Sequence, residues 1–280
     1  MIPRVGVSWM PTAGFRSAVE PVLDTIEAVE QTVDQAFEGR LPASAEAVLA
    51  AFGEAGQLYG HAVGASVLSA GREDVFETFL DALRRTRRPW VDLSDHYGFC
   101  TAGAQRFGAP LPLPRHPDVL AVGRERLIRL REAAGCPVGL ENLALALCSQ
   151  DALDQGPMVA ELLAPVDGFV HLDLHNLWCQ LHNFELDADV LLATWPLDRV
   201  WRVHVSGGSF VDDIRRDTHD HRVPEEVWAL LRAVLPRLPA CRALILEQLP
   251  SALLTEADQQ GYRDDLALLR AARDEVCRVG

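Results

Sequence analysis

Short runs rich in Val, Leu, Ile and Trp alternate along the chain with longer segments whose apolar positions recur every three or four residues. Eight of the short runs read as strands: "RVGVSW" (4–9), "TIEAVE" (25–30), "LYGHAVGASV" (58–67), "WVDLSDH" (90–96), "VGLENL" (138–143), "GFVHLDLHN" (168–176), "VWRVHVS" (200–206) and "ALILEQL" (243–249). The second is ambiguous, because "DTIEAVEQTVDQ" fits a helix equally well. The intervening segments carry helix signals. "SAEAVLAAFGEAG" opens with Ser44 as its expected cap and Glu46 in the first turn. "GREDVFETFLDALRRT" starts at 71, and "RHPDVLAVGRERLIRLREAAG" starts at 115 and stops at Gly135. "VPEEVWALLRAVLPRL" places Pro224 and two glutamates in its first turn.

Strand followed by helix, repeated in this way, means parallel strands joined by right-handed crossovers. Eight such strands predict an α/β fold, a closed (β/α)8 barrel occupying residues 1–280 as one domain. No Pro/Gly/Ser-rich linker divides the chain. The segment 99–117, rich in Pro and Gly, follows a strand and is expected to be a long loop over the barrel mouth.

Composition narrows the function classes. The chain has 280 residues, 49% hydrophobic and 24% charged, enough to bury a large core. A net charge of −14 disfavours nucleic acid as a partner. The basic run "RRTRRP" (84–89) reads as a solvated helix end favoured by the helix dipole. The six cysteines form no CxxC pair, so they are read as reduced thiols. No signal peptide and no membrane span is evident, and the expected location is the cytoplasm.

Candidate chemistry gathers at the C-terminal ends of the strands. His61 lies on the third, Asp95 and His96 end the fourth, and Glu141 and Asn142 end the fifth. Asp173, His175 and Asn176 end the sixth; His204 lies on the seventh, with "DTHDH" (Asp217, His219, Asp220, His221) in the loop after it; Glu247 ends the eighth. One strand histidine is usually a hydrogen-bonded core residue. Asp95 reads equally as a loop cap and Asn142 as a turn closer, while His116 and His171 look structural. Together, at one barrel mouth, so many imidazoles and carboxylates call for cations. A mixed His/carboxylate set suits iron, manganese, zinc or cobalt. At roughly three or four protein ligands per ion, the set suffices for two or three ions, and Glu141 is placed to bridge.

These motifs resemble the multinuclear non-heme iron-dependent oxidative enzymes, the DUF692-like, xylose-isomerase-like barrels that include the iron subunit of methanobactin biosynthesis. The matching pieces are "VGVSW", "HAVGASVLSAG", "VDLSDHYGF", "LENLA", "LDLHNLW", "VHVSGG", "DTHD" and "ILEQ". The resemblance implies two or three irons, Fe(II) and Fe(III), and O2 as cosubstrate. The implied reaction oxidises a ribosomally made precursor peptide, usually at a cysteine, often with a separate peptide-recognition partner protein. It implies His61, His96, Glu141, Asp173, Asn176, His204, Asp217, His219 and Glu247 as metal ligands or their close neighbours, with Asp217 and His219 also read as catalytic. His175 stands where the family often has an asparagine, and joins the metal set as an expectation. Gly208 stands where the family usually has a histidine, and His182–Asn183 matches a His-Gly pair only approximately.

Three other readings use the same residues. A sugar isomerase or epimerase needs one divalent ion held by Glu141, Asp173, His204 and Glu247. The surplus histidines and the "DTHD" loop speak against it. A phosphodiesterase of the endonuclease IV type would also fit a multi-metal barrel, against the acidic charge. A barrel that binds a peptide without chemistry is the non-enzymatic case.

Overall fold

A computed structural model describes residues 2–37, 41–69, 71–103 and 105–279. Eight parallel strands close into a barrel: β1 (Arg4–Trp9), β2 (Ala28–Thr32), β3 (Leu58–His61), β4 (Leu93–His96), β5 (Val138–Glu141), β6 (Phe169–Asp173), β7 (Val200–Val205) and β8 (Ala243–Leu246). Each strand pairs with its sequence neighbours and β8 pairs with β1, the order that right-handed crossovers produce. The expected (β/α)8 architecture is therefore the one observed.

The helices are α1 (Ala13–Val19), α2 (Ala43–Glu54), α3 (Glu73–Thr86), α4 (Pro117–Ala134), α5 (Ser149–Leu163), α6 (Leu174–Asn183), α7 (Ala188–Leu192), α8 (Glu225–Val234) and α9 (Glu256–Val279). Outward strand residues such as Val138, Leu140, Val170, Leu172 and Val203 are fully buried against this ring. Helix α4 is capped by His116, whose side chain accepts from the Asp118 N–H, and by Gly135 in the left-handed region (φ 68°) just past its end.

Several expectations are corrected here. The second strand is a strand, but it runs 28–32 rather than 25–30, because Glu20–Thr25 forms a 3-10 turn before it. The third, fifth, sixth and eighth strands end sooner than expected, at His61, Glu141, Asp173 and Leu246. Ser44 is not a cap: α2 starts at Ala43, and Pro42 holds the cap position without a side-chain hydrogen bond. Pro224 likewise sits at the cap of α8, just before Glu225. The 99–117 segment is not a plain loop. Phe99–Ala102 pairs antiparallel with Gln105–Leu111, and this hairpin leans over the mouth. A second small hairpin, Phe210–Val211 with Ile214–Arg215, follows β7.

Candidate metal centre

Alternate residues of a strand face the same side, so each barrel strand turns every second side chain inward. The parallel register then sets their neighbours. His61 lies opposite Ser94, His96 opposite Glu141, and Asp173 opposite His204. The loops after β7 and β8 add Asp217, His219 and Glu247. His61, His96, Glu141, Asp217, His219 and Glu247 line a cleft of about 320 Å³ that also includes Met10, Ala109, Pro110, Asn176 and Leu249.

Glu141 is the centre of this set. Its Oε2 faces His61 Nε2 at 3.2 Å and His96 Nε2 at 3.4 Å. Its Oε1 lies 3.0 Å from His204 Nδ1. That same His204 nitrogen faces Glu247 Oε2 at 3.0 Å and Asp173 Oδ2 at 3.7 Å. One carboxylate thus separates a nitrogen-rich pair from a carboxylate-rich group around His204.

Asp173 has a divided role. Its Oδ1 accepts the Asn176 N–H at 2.7 Å and caps α6, while Oδ2 is left free toward the cleft. Asn142 holds this strand end in place: its Nδ2 donates to the Asp173 carbonyl and its Oδ1 accepts the Asp173 N–H. Asn176 Nδ2 donates to the Asn142 carbonyl, which leaves Asn176 Oδ1 open. His219 adopts φ 50°, a left-handed conformation uncommon for a side-chain-bearing residue, and from there pairs with Asp217 through Nε2 and faces Glu247 Oε2 at 3.1 Å through Nδ1.

The electrostatics of the protein alone favour added positive charge. Burial disfavours a charged His204, yet Glu30, Glu247 and Glu141 overcome it and hold the imidazole pKa well above its ordinary value. Asp217 and Glu247 do the same for the buried His219. Burial, with Asp217 and Glu141 nearby, pushes Asp173 up to about 8. Burial pulls His175 down to about 4, which leaves a neutral imidazole. Glu141 Oε2, Asp173 Oδ2, His175 Nε2 and Asn176 Oδ1 are enclosed and have no hydrogen-bond partner among the described residues. Such orphans cost about 1–3 kcal/mol each unless something satisfies them. Imidazole nitrogens and carboxylate or amide oxygens are all metal-ligand types, so the residues fit metal ions.

Of the residues expected from sequence, His61, His96, Glu141, Asn176, Asp217, His219 and Glu247 line the cleft, and Asp173 and His204 lie directly beneath it. His175 is not at a strand end; it sits in the first turn of α6 with its ring against Gly208. Asp95 is a loop clamp, accepting the Val67 N–H at 3.0 Å. His221 is exposed and pairs with Asp220. His182 is exposed, 3.3 Å from the Asp213 carbonyl and away from the cleft, while Asn183 pins both backbone groups of Arg215.

His171, read from sequence as structural, belongs to the inward-facing polar cluster. Spaced two residues from Asp173 on one strand, it shares the inward face and is fully buried among His61, His204 and Glu30. Two residues were missed outright. Glu30 lay on the ambiguous second strand. Arg202 stands two positions before His204, and that spacing was the available signal of a shared face.

Known proteins resemble this chain in sequence and in fold. Residues 6–256 match the family described as RiPP precursor modification enzyme MbnB/TglH/ChrH. The chain belongs to this family. A UPF0276 protein of Caulobacter vibrioides (strain NA1000 / CB15N) is 31% identical over 176 residues, covering 59% of this chain and 61% of that protein, so the chain spans under two thirds of that relative's length. A UPF0276 protein of Chromobacterium violaceum is 30% identical over 217 residues, 75% of each chain. Among solved structures, endonuclease IV from Thermus thermophilus superposes with a TM-score of 0.58 at 20% identity, covering 96% of this chain and 100% of that one. D-psicose 3-epimerase from Clostridium cellulolyticum superposes with a TM-score of 0.59 at 15% identity, covering 98% and 99%. These two likenesses show the shared barrel fold. Among the described residues, no helix is long and apolar enough to cross a membrane.

Proposed function

We propose that this protein is an O2-dependent oxidase holding two or three iron ions, and that it modifies a ribosomally made precursor peptide at a cysteine. The observation that carries this reading is the placement of Glu141. One of its oxygens faces His61 and His96 and the other faces His204, the arrangement of a carboxylate between two ion positions. Membership of a precursor-modifying family supports the choice of a peptide.

His61, His96 and Glu141 would hold one ion; Glu141, Asp173, His204 and Glu247 a second; Asn176, Asp217 and His219, with His175 beside them, would serve a third. Bound iron would supply affinity for a thiolate and for dioxygen, and the redox change that oxidation needs. The chain's own groups do the rest. Met10, Ala109, Pro110 and Leu249 give the cleft apolar walls that limit water. When no third ion is held, the Asp217–His219 ion pair keeps a proton at His219 within the cleft. The 99–111 hairpin forms one wall, where a peptide entering the mouth would lie. A separate partner protein that delivers the peptide, and a cytoplasmic location, belong to the same proposal.

A second reading rests on one observation: Glu141, Asp173, His204 and Glu247 by themselves compose a four-residue site for one divalent ion, as a sugar isomerase or epimerase requires. Elemental analysis and Mössbauer spectroscopy of protein purified without oxygen separate the two. Two or three irons per chain are expected, together with an O2-dependent mass change in a cysteine-bearing precursor peptide. One zinc, manganese or magnesium ion and no iron would overturn the oxidase reading.

A further inference from the structure

Beneath the metal-ligating side chains the barrel holds a polar layer that plays no part in the reading above: Glu30, Ser94, His171 and Arg202, all fully enclosed. We propose that Arg202, acting through Ser94 and Glu30, sets the tautomers of two ligand imidazoles, so that His61 offers a bare Nε2 and His204 a bare Nδ1 to the mouth. The inference rests on the mouth being a metal centre.

The argument is a count of hydrogens. A guanidinium only donates. Arg202 Nη1 donates to Glu30 Oε2 at 2.6 Å. Nη2 donates to the Gly60 carbonyl at 3.0 Å and to Ser94 Oγ at 2.5 Å, which uses both of its hydrogens. A serine hydroxyl has one hydrogen and two lone pairs. Arg202 takes one lone pair, so one lone pair and one hydrogen remain. Two neighbours compete for them: His61 Nδ1 at 2.8 Å and His171 Nδ1 at 3.0 Å. One ring must therefore donate to Ser94 and the other must accept from it.

The direction follows from which nitrogen faces the mouth. His61 turns Nε2 toward Glu141. A neutral ring that offers Nε2 to a cation carries its proton on Nδ1 and donates it to Ser94. The Ser94 hydroxyl then donates to His171 Nδ1. His171 keeps its own proton on Nε2, 4.0 Å from Glu30 Oε2, and has no nitrogen left for a metal. This separates His171 from the ligand set although it lies close to it.

The other branch runs through Glu30, whose carboxylate accepts only. Its Oε1 is 2.8 Å from His204 Nε2, so that nitrogen keeps its proton, and with a cation at the mouth Nδ1 is the nitrogen left bare toward Glu141, Asp173 and Glu247. The two imidazoles thus use opposite nitrogens, and one buried guanidinium anchors both. Carboxylates and other groups behind ligand histidines orient the ring and raise its basicity. Arg202, Ser94 and Glu30 are positioning residues in this sense.

Glu30→Gln is the informative variant. Its amide can face only one neighbour with oxygen. With its NH2 toward Arg202 two donors meet; with its NH2 toward His204 the ring must leave Nε2 bare and protonate Nδ1. The experiment loads the full chain with Zn(II) and reads histidine tautomers by long-range proton–nitrogen NMR. Zn(II) affinity is measured by chelator competition for wild type, Glu30→Gln and Ser94→Ala, with melting of the metal-free proteins as the check on folding. Expected are Nδ1–H at His61, Nε2–H at His204 and His171, and roughly 10–100-fold weaker Zn(II) binding in each variant. A swapped tautomer at any of the three rings in the wild type, or wild-type affinity in folded Glu30→Gln and Ser94→Ala, would overturn the inference alone. A wild-type chain that takes up no zinc would overturn the metal-centre reading and this inference with it. The wild-type spectrum decides the matter even where a variant fails to fold.

Discussion

The His175 ring fills the space that a side chain at position 208 would need: a Cβ on Gly208 would lie 2.6 Å from His175 Cε1 and 3.1 Å from Nε2. The two positions are coupled. A buried imidazole from α6 fits here because the loop after β7 has, at this point, a residue with no side chain.

Gly208→Ala should therefore destabilise the protein by about 1–3 kcal/mol, the usual cost of overpacking. The added methyl also collides with the Arg216 carbonyl, so the loop that carries Asp217 and His219 must shift. Chemical denaturation of the metal-free protein measures the loss. Adding His175→Ala should recover part of it and not all, because the backbone clash remains.

Glu141 serves both ends of the ligand set. Glu141→Gln should lower the iron content by more than one ion per chain, whereas His96→Ala, on one side only, should lower it by about one. Elemental analysis of the two variants, purified side by side without oxygen, makes the comparison. Equal losses would mean that Glu141 belongs to one ion.

Asp92 lies under the site, with one oxygen 3.2 Å from Arg202 Nε. Burial raises its pKa from 3.8 to about 6, against the pull of Arg202. The folded state thus holds the proton more tightly than the unfolded state. The resulting stabilisation is complete below pH 3.8 and is lost as pH rises through 6. Across that window wild type should lose about 3 kcal/mol relative to Asp92→Asn, measured as the pH dependence of the difference in unfolding free energy. A flat difference would mean that the folded state holds the Asp92 proton no more tightly than the unfolded state does.

The second hairpin is held by one cation between two rings. The Arg215 guanidinium carbon is 4.1 Å from the ring centres of both Trp178 and Phe210. Arg215→Ala should cost about 1–2 kcal/mol and loosen the 210–215 turn. Limited proteolysis should then cut there faster, while Arg215→Lys should give an intermediate rate.

Much of this was legible in the sequence. The change of period from two to between three and four marks strand and helix, and the polar residues that break an apolar run at its C-terminal end mark the mouth. His61, His96, Glu141, Asp173, His204 and Glu247 could be named on that ground because a barrel brings all its strand ends to one side. Ser44 misled because a good capping residue does not cap when the preceding Pro42 already sets the entry of the helix.

Periodicity along one strand tells which side chains share a face. It does not tell what stands across the barrel from them. That Arg202 on β7 reaches Glu30 on β2 and Ser94 on β4 depends on closure and register, and these arise from pairing between segments far apart in the chain. The same closure gives Glu141 one oxygen for His61 and His96 and the other for His204, and places His175 against Gly208. Local order named residue types that suit metal ions; the closed barrel set which atom of each faces which neighbour.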